Sequence, residues 1–236
     1  MNENDNQRLV ELYESANVAV SEGAFQRAHK LLKPLAESGD AEAQFLLGNL
    51  FYAGSDMAWD VARQWLNSAA EQNHAEALYC LASTGFEPSL GEVAWRPPVD
   101  KAECRLLQRA AELGSAQAQR DLGAYFSMGD AGFAEDQVQG RHWYLHAAEQ
   151  GHIDAQYNLG MMLLEGEGGA EDVSAGMAWL VEASKSDDDP AAQEAAELLS
   201  EIYGEGLYGH QIDRQKAKIY SQLARELKRV FDEDLA

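Results

Sequence analysis

Residues 153–166 read IDAQYNLGMMLLEG, and residues 116–129 read AQAQRDLGAYFSMG. A third stretch, AEAQFLLGNLFYAG, covers 41–54. The three share Ala, Gln, Leu and Gly at the same places. Each is followed by a second related phrase: WLNSAAEQNH (65–74), LLQRAAELGS (106–115) and WYLHAAEQGH (143–152). Self-similarity at a period of about 20 to 50 residues is the mark of a repeat architecture. Aligning on the Ala of the first phrase gives Ala43, Ala77, Ala118, Ala155 and Ala195, with steps of 34, 41, 37 and 40 residues. Variable steps around a fixed core put the insertions in loops.

Both phrases have helical period. In the first, Ala43, Leu47, Leu50 and Phe51 fall at i, i+4, i+7 and i+8, a single apolar face. In the second, Trp65 and Ala69 are one turn apart, as are Trp143 and Ala147, and Trp179 and Ala183. Each unit is therefore expected to be a helical hairpin. Gly48, Gly123 and Gly160 follow the core Leu of the first helix. A helical Gly costs about 1 kcal/mol relative to Ala, so its repetition predicts close approach of the partner helix. The pairs Ala69-Ala70, Ala110-Ala111 and Ala147-Ala148 do the same on the second helix, with the Trp one turn earlier expected to fill the space. Gly39, Gly114 and Gly151 sit where the second helix should end. Asp136, Asp172 and Asp213 sit where it should begin.

Composition agrees with helix: the chain of 236 residues has 46% hydrophobic residues and only five Pro. Its formal net charge is −22. Residues 116–190 hold 14 acids and 3 bases, half of the excess. Phosphate contacts need surplus Lys and Arg, so neither nucleic acid nor an anionic membrane is expected as a partner. A basic partner is favoured. Cys80 and Cys104 lack metal-type spacing and are expected in helices of one unit, as core thiols. With no apolar leader at Met1–Asp5 and no long apolar run, the expectation is a cytoplasmic protein with no membrane span.

The phrases resemble the Sel-1-like repeat family, the variable-length relatives of tetratricopeptide repeats. Its pattern is roughly AxAQxxLGxxYxxG, a loop, then DxxKAxxWxxxAAexGh. The match runs over residues 41–229, and the last unit carries Asp213, Lys216, Ala217 and Tyr220. The hairpin at about 7–39 is more like a tetratricopeptide unit, with Gly23, Phe25 and Ala28. Two departures stand out. The unit beginning near 75 has Ala82 in place of the Gly, and a long loop with Pro97-Pro98 follows it. The resemblance implies an all-α, right-handed α-solenoid of about six hairpins and 12 helices, curved, with a concave groove. One repeat domain is expected over 1–236, with hairpins at about 7–39, 41–74, 75–115, 116–152, 153–189 and 191–231. The charged last helix, with Arg225, Glu226, Lys228 and Arg229, fits a capping role.

In such units the face of the first helix opposite its core Leu lines the groove. The resemblance then offers Glu42, Phe45, Asn49 and Tyr52 from one unit, and Glu76, Tyr79 and Phe86 from the next. Later units offer Asp154, Tyr157, Met161 and Leu164, then Glu194, Glu197 and Glu201. Aromatic and soft apolar residues flanked by acids suit a basic or amphipathic protein segment. The competing reading is that these aromatics pack against a neighbouring repeat.

Three features invite chemistry and are read more plainly. His142 and His146 share a helix face, but HWYLH lacks the converging ligands of a metal site. Gly166–Gly169 is acidic and has no Lys for a phosphate cradle. Asp187–Asp189 before Pro190 lacks the spacing of a calcium loop and reads as a helix boundary. No catalytic residue, metal or cofactor is expected. The functional expectation is a non-enzymatic adaptor or scaffold. Alternatives implied by the resemblance are an immunity protein that neutralises a cationic toxin such as a nuclease, or a regulatory component of a signalling pathway.

Overall fold

Polar residues before Ala-rich, Leu-rich phrases start the helices of this chain. Asp40, Asp100, Asp136, Asp172 and Asp189 each sit at an N-cap and accept a hydrogen bond from a backbone N–H of the first turn. Asp213 accepts from Gln215 and Lys216 in the same way. Pro190 occupies the first turn of its helix, where a missing N–H costs nothing. The second helices end in a left-handed residue: Gly39 at φ 98°, Gly114 at 100° and Gly151 at 88°. Asn73, at φ 61°, takes that place in the hairpin ending near 74.

The computed structural model of the chain describes residues 3–50, 59–87, 92–187 and 189–234. These form twelve helices in six hairpins and one two-stranded sheet. The helices are α1 (Glu3–Ser21) with α2 (Phe25–Glu37), α3 (Ala41–Asn49) with α4 (Trp59–Glu71), and α5 (Ala75–Ser83) with α6 (Lys101–Glu112). They continue as α7 (Ala116–Met128) with α8 (Gln137–Glu149), α9 (Ile153–Glu165) with α10 (Val173–Ala183), and α11 (Pro190–Glu205) with α12 (Arg214–Asp234). Contacts divide the chain into two compact units, Met1–Ser115 and Ala116–Ala236, of three hairpins each. Within a unit the second helix of one hairpin packs on the first helix of the next: α2 on α3, α4 on α5, α8 on α9, α10 on α11. This is the stacking of an α-solenoid, in which no hairpin buries its apolar face alone.

The glycines of the first helices mark the crossing points. A Cβ on Gly48 would lie 2.7 Å from Leu66 Cγ and 3.0 Å from the Ala62 carbonyl. On Gly123 it would strike Tyr144 at 2.6 Å, and on Gly160 it would strike Leu180 at 2.9 Å. In the last hairpin Ser200 stands at this position, and its hydroxyl donates to the Ala217 carbonyl at 3.0 Å. The expectation that the Trp fills the gap is corrected here. The residue after it does so: Leu66, Tyr144 or Leu180, all buried. Trp65 and Trp179 lie half-buried at the rim of the core clusters. Leu47, Leu66, Leu159, Leu180 and Leu199 are sealed in those clusters. Each contributes about 1.5–3 kcal/mol by burial.

A hydrogen bond closes the neck of three hairpin loops. The N–H of Asp136 donates to the Phe126 carbonyl at 2.7 Å. Asp172 donates to Leu163 and Asp213 to Tyr203, both at 2.8 Å. The long α5–α6 connection holds the one sheet among the described residues. Strands β1 (Thr84–Glu87) and β2 (Glu92–Trp95) pair antiparallel, with Thr84 opposite Trp95 and Phe86 opposite Val93. Arg96 donates its N–H to the Ser83 carbonyl and grips Glu103 of α6 through two 2.8 Å bonds. That fork holds the Glu103 carboxyl below its ordinary pKa, and it ties the loop exit to the helix.

Candidate protein-binding face

The second unit brings its first helices, α7, α9 and α11, onto a shared face. Arg120 of α7 pairs with Asp121 at 2.9 Å and reaches Asp154 of α9 at 3.6 Å. Tyr157 lies one turn beyond Asp154 and is half-buried, as is Met161 one turn further on. Burial raises the pKa of the Tyr157 hydroxyl, and the charges of Glu194, Glu165, Glu197 and Glu201 raise it further. The ring is therefore a partly apolar platform within the field of four carboxylates. Glu194, Glu197 and Glu201 are all exposed, and their spacing of three and four puts them on a single face of α11. Glu197 and Glu201 line a shallow groove with Ser200, closed on the far side by Ser221, Ala224 and Arg225 of α12.

Two expected residues do not belong to this face. Leu164 is 1% exposed and packs with Met177, Leu180 and Leu199. The three consecutive residues Met162 to Leu164 are all buried, where Gly176 of α10 lets the helix approach. Tyr79 is buried as well, inside the run Ala77–Cys80 that α5 buries on every side. A helix packed on all faces offers no groove position, whatever its register. Burial also pushes the Cys80 thiol up to about 12.

In the first unit Glu42 is exposed, while Phe45, Asn49 and Glu76 are half-buried. Glu42 and Phe45 already have a common neighbour, His74, which opens α5. Its Nε2 donates to Glu42 at 2.9 Å, its ring stacks on Phe45 at 4.7 Å, and its Nδ1 accepts from the Ala77 N–H. His74 thus staples α3 to α5. It was not singled out in the sequence, although His74 and His152 end two matching phrases. Tyr52, like Phe51, lies outside the described residues, as does the side chain of Phe86.

No group of three or more His, Cys, Asp or Glu side chains among the described residues is arranged to hold a metal. The His142 and His146 rings pack edge to face at 4.5 Å, and His146 lies 3.7 Å from Glu149. The loop at Gly166–Gly169 is occupied by Arg141, which donates to the Ala170 carbonyl at 2.9 Å. No described helix is long and apolar enough to cross a membrane.

The family model described as the Sel1 repeat matches residues 41–74, 104–115, 116–152, 153–188 and 193–228, more than half of the chain. The chain belongs to the Sel1 repeat family. The Sel1 matches leave out 75–103, which holds α5 and the β-hairpin, and they also leave out α1 and α2. A Sel1 repeat protein from Oxalobacter formigenes has a similar structure, with TM-score 0.62 and 27% identity. That comparison covers 84% of this chain and 75% of the other. An immunity protein from Pseudomonas aeruginosa shares the fold at TM-score 0.54 and 18% identity, over 91% of this chain and 82% of the other. Chitin synthase regulatory factor 3 of Schizosaccharomyces pombe is 31% identical over 162 residues. The match covers 64% of this chain and only 16% of that protein's length. The Sel1 repeat is a protein-interaction fold.

Proposed function

We propose that this Sel1 repeat protein is a non-catalytic adaptor that holds a basic, amphipathic segment of a protein partner on the face of α9 and α11. The observation that supports the reading is the half-buried Tyr157 within the field of Glu194, Glu197 and Glu201. An apolar side chain of the partner would rest on Tyr157 and Met161, and its cations would meet the carboxylates. Aromatic anchors ringed by polar groups carry most interface energy elsewhere. In this reading the protein works in the reducing cytoplasm, with Cys80 and Cys104 as free thiols.

The test is affinity capture from native cells with three baits: wild type, Y157A/E194K/E201K, and E149K as a surface control on α8. A basic partner retained by wild type and E149K and lost from the triple variant supports the reading. Equal capture by all three baits sinks it.

The charge of −22, with 14 acids against 3 bases over 116–190, favours a second reading. The partner would then be a cationic toxin domain, and the fold shared with immunity proteins is compatible with that role. Growth of cells expressing the captured partner separates the two. Restored growth on co-expression of this chain supports immunity, and growth unaffected by either protein leaves the adaptor alone.

A further inference from the structure

The outward faces of α1 and α12 are opposite in character. On α1, Val10, Glu11, Glu14 and Val18 share the face turned away from buried Ala16 and Ala19, and all four are exposed. On α12, Lys218, Ile219, Gln222 and Arg225 share the face turned away from buried Ala224 and Leu227, and they too are exposed. Val10 is 55% exposed and Ile219 56%, so each face has an apolar centre. Beside that centre α1 carries carboxylates and α12 carries cations. Residues 214–231 hold six bases and one acid in a chain that is otherwise strongly acidic.

The fold also supplies a joint. A second helix packs on the first helix of the following hairpin four times, at α2–α3, α4–α5, α8–α9 and α10–α11. Helix α12 is a second helix and α1 is a first helix. Each presents the side that such a joint would use, uncovered by any described element.

We propose that two copies of this chain associate head to tail, α12 of one copy against α1 of the other. Ile219 meets the Val10 and Val18 surface, while Lys218 and Arg225 pair with Glu11 and Glu14. The interior joints bury Leu and Ala, and this one brings a few aliphatic groups and exposed ion pairs. It is therefore a weak and reversible contact. The interface is heterologous, so a bound pair leaves one face of each kind open. Arg225 also closes the groove beside Glu197 and Glu201 and is the one side chain the two surfaces share, and neither proposal depends on the other.

Sedimentation velocity of the full chain, from about 10 to about 200 µM at physiological salt, reads the association. Wild type is expected to gain mass with concentration. E11K/E14K and K218E/R225E, each alone, are expected to stay monomeric with unchanged helical circular dichroism. Mixing the two variants brings together the native pair of faces and its charge-reversed counterpart, and association returns. A monomeric wild type, undiminished association of either variant, or a mixture that stays monomeric would each overturn the proposal.

Discussion

A single methyl group is enough to separate two uses of glycine in these helices. At Gly176 an added Cβ would lie 2.8 Å from the Gly160 carbonyl and 2.9 Å from Leu164 Cγ. Gly176→Ala is expected to cost about 1–3 kcal/mol in overpacking, offset by up to about 1 kcal/mol of helix propensity. At Gly204 the nearest atom is Ala217 Cβ at 3.6 Å, an ordinary contact. Gly204→Ala is expected to stabilise by about 0.5 kcal/mol. Urea unfolding of the two variants should move in opposite directions, and a shared sign would refute the crossing-point account. The small residues were readable in the sequence because their spacing repeats. Tyr79 and Leu164 were not readable as core. Register fixes which side of a helix a residue is on, and it does not say how many sides are covered.

Among elements, the start of α9 is the place where pH should act. His152 opens this helix as His74 opens α5, but its buried Nδ1 has no hydrogen-bond partner. Its pKa is lowered by burial first and by Arg120 second, against the opposing pull of Asp154, Asp189 and Asp121. The folded state thus prefers the neutral ring, and the unfolded chain binds more protons as pH falls. The stability is complete above the ordinary value of about 6.5 and is lost on acidification toward the lower folded value. Unfolding midpoints measured from about pH 7.5 to about pH 5.5 should fall more steeply for wild type than for His152→Asn, which puts a side chain without a titrating ring at the helix start. Parallel slopes would remove His152 from the account. Helix boundaries were readable from Asp, Gly and Pro positions. The β-hairpin between α5 and α6 was not, because Pro97-Pro98 announces a loop and carries no strand alternation of its own.

For the molecule as a whole, charge sets how fast partners meet. A net −22 is long-ranged only until salt screens it, over about 8 Å at physiological strength. The association rate of a basic partner should drop steeply between about 50 and about 500 mM salt, while its dissociation rate changes less. A flat rate in stopped-flow or surface-binding measurements would remove steering from the binding reading. The repeat architecture was open to sequence reasoning since five registers agree. The proposed binding face was only half so, since half-burial of Tyr157 depends on α11 lying beside α9. The neck bonds from Asp136, Asp172 and Asp213 insulate the helices from whatever lies at the loop tips. Extra chain grafted beyond a neck costs only closure entropy, which grows slowly with length. The α5–α6 connection, gripped by Arg96 at its exit, has already used that freedom to carry a sheet. The tips are therefore where this protein can gain a new recognition loop without disturbing the helices beneath.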